Sequence, residues 1–324
     1  MALRAEPVGG VPLAGPSLIG ASDIAPLNEL FSSAFTERYR RDGLVGVRVP
    51  PLNPAIWRYA IEGAGSGAML WRDPSGAIAA FNIAHASGTE GWMGPLAVRE
   101  DAQGAGHGKM IVRAGIDHLV RAGCRTIGLE TMPRTVDNIG FYSGLGFVPG
   151  PITVTLTIDA GPAPAQCELL SALAPTARDD AIAECAALTA FLAPGANYSR
   201  EIGLTHDLAV GDTVLLRRAG AICAFALCHA APLVDGRSRE ELRVLKLVAC
   251  DLDAFTSLLR PLAAFARKAG TVRVALRMQG EHRAAYVAVI GAGGRVRWTD
   301  LRMTLNGYPQ PACASGTVLT NWEI

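Results

Sequence analysis

Apolar positions along the first half of the chain follow two periods, one typical of helices and one typical of strands. From Ser22 onward, Ile24, Leu27 and Phe31 recur at a spacing of three or four residues, which predicts an amphipathic helix. Short apolar runs bounded by glycine and proline predict strands. The predicted elements are helices from Ser22, at 54–62, at 108–122 and from Pro133, and strands at 69–71, 77–87, 92–98, 126–132 and 152–158.

The strand predicted at 92–98 contains Gly94-Pro95. Proline cannot donate a ladder hydrogen bond, so it indicates a sheet edge or a bulge. A turn follows this strand with Gly104, Gly106 and Gly108 within five residues, and a helix follows the turn. Such a turn directs backbone N–H groups toward the positive end of the helix, where a phosphate binds favourably. The pattern therefore predicts strand, phosphate-binding loop and helix.

Two common phosphate loops do not fit this stretch. The dinucleotide fingerprint requires G-x-G-x-x-G, whereas the order here is G-x-G-x-G. The triphosphate-binding loop requires Ser or Thr after its lysine, whereas Lys109 is followed by Met110. A different phosphate-bearing ligand is therefore needed to explain the loop, unless it is only a glycine-rich helix start.

Composition narrows the class of protein. The 324 residues are 50% hydrophobic and 18% charged, which predicts about two domains with large cores. A net charge of +1 disfavours duplex nucleic acid or an anionic membrane as partner. We expect a cytoplasmic protein, because the seven cysteines form no C-x-x-C pair, no signal-peptide pattern opens the chain, and the apolar run 219–234 is too short to cross a bilayer. The six dispersed histidines predict no metal site.

The second half of the chain repeats the first. The strand segment 77–86 can be laid on 221–230 with six of ten positions identical, and Gly76 or Gly220 precedes each copy. Farther on, 121–123 matches 268–270, so the order is kept with a small change in length. Residues 159–166 have the composition of a linker. We infer a tandem repeat of one α/β unit, divided into domains at 1–160 and 161–324.

The second copy lacks the glycine loop. Residues 250–256 stand in its place and contain no glycine, and Asp251 and Asp253 there would repel a phosphate. Only the first copy is therefore expected to bind the ligand, and the second is expected to support the fold or to shape the substrate site.

The loop from Gln103 to Gly108 resembles the acyl-CoA loop of the GNAT N-acetyltransferase superfamily, [QR]-x-x-G-x-[GA]. Val98, five residues before the glutamine, also fits that pattern, whereas Glu100 replaces its usual proline. A second motif supports the resemblance about 40 residues later, where Tyr142 to Phe147 matches the end of N-x-x-A-x-x-x-Y-x-x-x-G-F. At the start of that motif Thr135 replaces the family's asparagine and Asn138 its alanine.

The resemblance implies a fold and a cofactor. The fold class would be α/β of the α+β type, with two tandem GNAT-like domains, each a mixed, largely antiparallel sheet flanked by helices. In GNAT folds the strand before the loop is bulged and splayed from its neighbour, which admits the pantetheine arm. The residues implied to bind acetyl-CoA, the co-substrate, are Leu96, Ala97, Val98, Gln103, Gly104, Ala105, Gly106, His107, Gly108, Lys109 and Asn138.

The resemblance also implies catalytic residues. Tyr142 matches the tyrosine that lies near the thioester sulfur and would protonate the leaving thiolate. Glu90 and Glu130 are two candidates for the base that deprotonates the amine, although each could equally be an ordinary salt-bridged residue. His85 recurs as His229 in the copy without the loop, which favours a structural role for both.

Together these observations predict a cytoplasmic, acetyl-CoA-dependent N-acetyltransferase. The acceptor would be the amine of a small molecule, attacking directly in a ternary complex. Two alternatives are a non-catalytic protein that senses acyl-CoA and a transferase that acetylates proteins or peptides. The sequence indicates neither the acceptor nor the acyl-chain length, and it leaves a homodimer open.

Overall fold

The computed structural model describes residues 12–161, 168–313 and 315–322, so most of the predicted leader and linker lie outside the described residues. The described residues of the first half form β1 (Ala14–Leu18), α1 (Ile24–Arg41), α2 (Pro54–Ala64), β2 (Ala68–Arg72), β3 (Ile78–Ser87), β4 (Glu90–Val98), α3 (His107–Arg121), β5 (Thr126–Thr131), α4 (Val136–Ser143) and β6 (Phe147–Asp159). Those of the second half form β7 (Glu168–Leu169), α5 (Pro175–Leu192), α6 (Ser199–Asp207), β8 (Gly211–Arg218), β9 (Ala221–His229), β10 (Glu241–Ala249), α7 (Leu252–Lys268), β11 (Arg273–Gln279), α8 (Arg283–Gly291), β12 (Arg295–Leu305) and β13 (Thr317–Thr320).

The order of these elements confirms the fold class. Each half runs through two helices, three antiparallel strands, a crossover helix, a parallel strand, a short helix and a last strand. The crossover helices α3 and α7 connect β4 to β5 and β10 to β11, the two parallel pairs in the sheet. The helix predicted from Pro133 begins at Val136, because residues 132–135 form a turn first.

All the strands belong to one continuous sheet. Its order is β1-β2-β3-β4-β5-β12-β6-β11-β10-β9-β8-β7, with β13 paired to β10 outside this path. The order reads as one half followed by the other in reverse, so the two copies are related by an approximate twofold axis between β12 and β6. The sheet thus joins the two copies, rather than leaving each with a sheet of its own.

The last strands of the two copies are exchanged at this centre. β12, from the second copy, pairs with β5 of the first, whereas β6, from the first copy, pairs with β11 of the second. The exchange extends into the cores. Leu301 and Met303 of β12 are buried with Ile127 and Leu129 of β5, and Leu156 of β6 is buried in the core of the second half. Neither half therefore contains a complete core made from its own sequence alone.

Helices cover both faces of this sheet. In the first half, α1 and α2 pack on one face around Trp57 and Phe81, and α3 and α4 pack on the other around Ile111 and Leu129. The second half repeats the arrangement with α5 and α6 on one face and α7 and α8 on the other. Among the described residues, no helix is long and apolar enough to cross a membrane.

Candidate active site

A cleft opens where β4 separates from β5. The two strands pair from Glu90–Thr126 to Met93–Leu129, and the pairing then stops. At that point Gly94 and Pro95 stand opposite the single residue Ile83 of β3, which is a β-bulge and confirms the prediction made from the proline. The resulting cleft has a volume of about 1270 Å³.

The glycine loop forms one end of this cleft. Gly104 and Gly106 have φ of +84° and +86°, values that favour glycine, and a Cβ built at either position would meet no atom within 4 Å. Gly106 is the N-cap of α3 and has no side chain to cap the first-turn N–H groups. Lys109 lines the cleft one turn into the helix. Open space, uncapped N–H groups and a lysine fit a phosphate-bearing ligand.

Side chains around the loop hold its shape. The Gln103 amide donates a hydrogen bond of 2.9 Å to the carbonyl of Val98, so the loop is tied to the end of β4. Arg41, at the end of α1, donates to the Gln103 amide oxygen at 3.3 Å and pairs with Glu100 at 2.9 Å. The contact from Arg41 links α1 to the loop, and no sequence motif indicated it.

The structure brings together most of the residues implied to bind the cofactor. The members that line the cleft are Leu96, Ala97, Val98, Gln103, Gly104, Gly106, Gly108, Lys109 and Asn138. Ala105 and His107 are not among the described residues that line it, and the His107 ring faces the carbonyl of Ala102 at 2.9 Å. On the side that faces β5, the backbone of residues 94–98 has lost its strand partner. That edge can therefore pair with amide groups of a ligand.

Tyr142 lies in the wall of the cleft on α4. Its ring packs between Phe141 and Phe147, at centroid distances of 5.2 and 6.0 Å, and only 7% of the residue is exposed. Burial raises the pKa of the phenol to about 12. The group is thus protonated at neutral pH, as a proton donor must be.

Glu130 also lines the cleft, but it is tightly paired. Its carboxylate accepts hydrogen bonds from Arg277 at 2.6 Å, from Arg302 at 2.9 Å and from the Thr153 hydroxyl at 2.6 Å. Burial by itself would raise the pKa of Glu130, but the two guanidinium groups outweigh it and lower the pKa to about 2. A carboxylate this acidic is a weak proton acceptor at neutral pH.

Glu90, the other candidate base, does not line the cleft. It stands at the start of β4, before the strands separate, and its carboxylate accepts a hydrogen bond of 2.8 Å from the Tyr198 hydroxyl. Burial raises its pKa, opposed by the Tyr198 hydrogen bond and the charge of Lys246. The structure therefore places Glu90 in a buried network between the two halves and outside the cleft.

The two histidines that recur in the repeat are held inside the fold. His85 is partly buried, its ring makes a hydrogen bond to the Gly94 backbone, and burial lowers its pKa to about 3. His229 is buried against the ring of Tyr59 at 4.3 Å and contacts the Thr205 hydroxyl at 3.2 Å. Among the described residues, no group of His, Cys, Asp and Glu has the geometry to hold a metal ion.

One part of the cleft wall is built mostly by the second half. We define the acceptor end as Glu130, Leu233, Val234, Trp298, Asp300 and Trp322, which line the cleft. All but Glu130 come from the second half, and β12 supplies two of them through the strand exchange. Sequence reasoning missed Trp298 and Asp300, because nothing local marks β12 as a strand that inserts beside β5.

The corresponding region of the second half is closed. β10 pairs with β11 only over 241–243, and from Lys246 to Ala249 its partner is β13. β13 thus lies where the cleft of the first half opens. The Asp251 carboxylate caps α7 by accepting from the Ala254 N–H at 2.7 Å, so a negative charge occupies the helix N-terminus. Among the described residues of this half, the strand gap and the helix N-terminus that are open in the first half are therefore both occupied.

Comparisons with known proteins agree with this geometry. Residues 26–147 match the family model described as Acetyltransferase (GNAT) family. No curated protein sequence matches the chain. The family match identifies residues 26–147, in the first half, as a domain of the GNAT acetyltransferase family.

Solved structures extend the likeness to the whole chain. A tandem GNAT protein from the clavulanic acid biosynthesis pathway is 10% identical with a TM-score of 0.58, over 93% of this chain and 100% of that one. A GCN5-related N-acetyltransferase from Sphaerobacter thermophilus is 16% identical with a TM-score of 0.61, over 94% and 99%. N-myristoyltransferase from Saccharomyces cerevisiae, solved with bound myristoyl-CoA, is 10% identical with a TM-score of 0.63, over 94% and 85%. At these identities the likeness shows a shared fold, here the tandem GNAT fold.

Proposed function

We propose that this protein transfers the acetyl group of acetyl-CoA to the amine of a small molecule. The observation that carries the proposal is the composition of the large cleft. It combines a glycine loop and helix N-terminus, an unpaired strand edge, and a part in which two carboxylates lie among apolar side chains. These three parts suit the pyrophosphate, the pantetheine arm and an acceptor, in that order.

The residues along the cleft would each contribute one step. The N–H groups at the start of α3 and Lys109 hold the pyrophosphate, and the free edge of residues 94–98 orients the pantetheine amides. The acceptor nitrogen attacks the thioester carbonyl, forms the amide bond and loses a proton. The carbon–sulfur bond breaks, and the Tyr142 phenol gives its proton to the thiolate. A direct transfer of this kind needs both substrates bound at once.

Neither Glu130 nor Glu90 is suited to act as the general base that deprotonates the amine directly. Glu130 is held ionised by Arg277 and Arg302, so we propose that it orients the acceptor as a fixed anion. Glu90 lies outside the cleft. The acceptor proton can instead leave through water, since the cleft is open.

The test is a screen of amine acceptors with acetyl-CoA, with release of the CoA thiol as the readout. Turnover with a small amine supports the proposal. Tight CoA binding by calorimetry with no turnover would indicate an acyl-CoA sensor. Turnover confined to peptides with a free amino terminus would indicate a peptide acyltransferase, a reaction that the N-myristoyltransferase likeness keeps open.

A further inference from the structure

We propose that the acceptor is an apolar monoamine, whose ammonium group binds beside Asp300 and whose apolar body lies against the walls of the acceptor end. The inference rests on the proposed function and names its substrate class. It is carried by two features that the structure sets side by side, a pair of buried carboxylates and a set of large apolar side chains left open to the cleft.

The two carboxylates come from neighbouring strands, Glu130 from β5 and Asp300 from β12. Arg277 donates to Asp300 at 2.9 Å through one terminal nitrogen and to Glu130 at 2.6 Å through the other, so the two acidic groups are neighbours. Both carboxylates line the cleft, whereas Arg277 and Arg302 are not among its lining residues. The carboxylates are therefore the members of these ion pairs that reach the cleft, and Asp300 also accepts a hydrogen bond of 3.3 Å from the Trp298 indole N–H. A cation is the ligand charge that such a wall favours.

The walls around the carboxylates are apolar. Trp298 is 39% exposed and Leu233 is 38% exposed, although both are large apolar residues in the interior of a cleft. The rings of Trp298 and Tyr39 lie 6.3 Å apart at an angle of 41°, and Phe31 lines the same cleft from α1. Such surfaces are stabilised when an apolar or aromatic ligand covers them, and aromatic rings also attract an ammonium group.

The opposite wall is fixed between the halves. Leu52, in the loop after α1, forms an isolated bridge with Val234, and the Asn53 N–H donates to the Leu233 carbonyl at 2.9 Å. The pocket is thus enclosed by backbone contacts between the first and second halves. A ligand with several hydroxyl groups, or with a second ammonium group along its chain, would have to bury them against apolar side chains at a free-energy cost.

The experiment compares three amines with acetyl-CoA as donor: 2-phenylethylamine, glucosamine and spermidine. We expect kcat/KM for 2-phenylethylamine to exceed that for the other two by at least about tenfold, the discrimination that loss of one buried apolar or polar contact gives. A higher kcat/KM for glucosamine or spermidine overturns the inference and leaves the proposed function standing. If no amine is acetylated although calorimetry shows CoA binding, the proposed function fails and the inference fails with it.

Two variants test the residues. Asp300→Asn should raise KM for 2-phenylethylamine about ten- to a hundredfold, the range for a hydrogen bond to a charged group, with a smaller change in kcat. Trp298→Ala should raise the same KM about tenfold, and Trp298→Phe should restore part of the loss, because phenylalanine keeps the aromatic surface but not the indole N–H that donates to Asp300 at 3.3 Å. For both, KM for acetyl-CoA should stay within about twofold, because neither residue is among those implied to bind the cofactor.

Matched controls separate these effects from loss of folding. Asp159→Asn changes an exposed aspartate on the other exchanged strand, and Val296→Ala changes an exposed residue on the same strand as Trp298. Both controls should leave both KM values unchanged. If Asp300→Asn and Trp298→Ala keep the wild-type KM for the amine, or raise KM for acetyl-CoA equally, the assigned pocket is wrong.

Discussion

The two halves of this protein share one fold, but they differ in the gap that opens beside the strand before the crossover helix. In each half the strand before the crossover helix carries a bulge, at Gly94-Pro95 in β4 and at Leu245 in β10. In each half the next strand pairs only before that bulge. The gap stays open in the first half, whereas β13 fills it in the second. A splayed strand pair thus makes a ligand site only where the chain's own strand does not occupy it.

The helix that follows each bulged strand shows a second difference. α3 begins at Gly106, which leaves its N-terminus uncovered, whereas α7 begins after Asp251, whose carboxylate accepts the Ala254 N–H. An aspartate N-cap stabilises a helix by about 1 kcal/mol and removes the position where a phosphate would bind. The helix start that is uncapped in the first half is therefore capped in the second.

The comparison of the two halves also explains an ion pair at the centre of the sheet. Glu130 of β5 and Arg277 of β11 are equivalent under the repeat offset of 147 residues, which also relates 121–123 to 268–270. The strand exchange brings these equivalent positions together as an ion pair of 2.6 Å. Equivalent positions of the two copies thus contact each other, and Glu130 of this pair lines the cleft.

Removal of the second half should have the largest effect on the folding and activity of the first half. A chain ending at Gly161 would lose β12, so β5 would lack its neighbour and the first core would lose Leu301 and Met303. We expect aggregation or strong ANS binding and no acetyl transfer, because an unpaired strand edge beside an open core promotes association. Size-exclusion chromatography and ANS fluorescence check this. A monomeric fragment that binds CoA and acetylates at the full-length rate would show that the exchange is dispensable.

A charge at the glycine loop should make the first half resemble the second. Gly106→Asp places a carboxylate at the start of α3 and forces an aspartate to φ near +86°, a strain of about 1–2 kcal/mol. With the added repulsion of the phosphates, we expect the Kd for CoA to rise at least about a hundredfold. Calorimetry should give one site per chain in the wild type.

Gly270→Asp is the matched control for this change. It has a similar φ of +75° and open space around it, but it lies at the end of α7, away from the cleft. It should leave the Kd unchanged. Two equivalent CoA sites in the wild type, or undiminished binding by Gly106→Asp, would contradict the assigned loop.

Tyr142 is a chemical difference between the two halves, because the second copy has no tyrosine at the matching place in α8. Tyr142→Phe should lower kcat about a hundredfold, the lower range for general acid catalysis, with little change in the Kd for CoA. Tyr286→Phe in α8 is the control and should have no effect on either. Equal kcat for Tyr142→Phe and wild type would mean that the thiolate leaves without this acid.

Local patterns predicted most of what lies in the first half of the site. The proline in β4 indicated the bulge, the glycines indicated the loop, and the spacing of apolar residues indicated the helices around them, since each of these features is encoded by residues close in sequence. The acceptor end could not be predicted in this way. Trp298 and Asp300 enter the cleft only because β12 pairs with a strand some 170 residues earlier. Glu130 is a weak base because it is paired with Arg302 of β12 and Arg277 of β11, which are also distant in sequence. Pairing partners at such a separation leave no periodic signal in one sequence.

The smallest expected effect concerns the ion pairs that join the halves. Because the pKa of Glu130 is lowered to about 2 in the folded chain, from about 4.5, its ionised form stabilises the fold above pH 4.5. That contribution is lost as the pH falls from about 4.5 toward 2. Glu130→Gln should therefore lower the free energy of unfolding at pH 7, by about 1–3 kcal/mol for a lost charged hydrogen bond, and reduce its decline below pH 4.5. Denaturant unfolding at pH 7, 4.5 and 3 measures both quantities.

The exposed pair of Arg218 and Asp251, at 2.7 Å in the second half alone, supplies the control, because Asp251→Asn should change stability without altering amine KM. If Glu130→Gln has the wild-type acid profile, the carboxylate does not carry the charge coupling between the halves, and the cleft wall must be held by β12 packing instead.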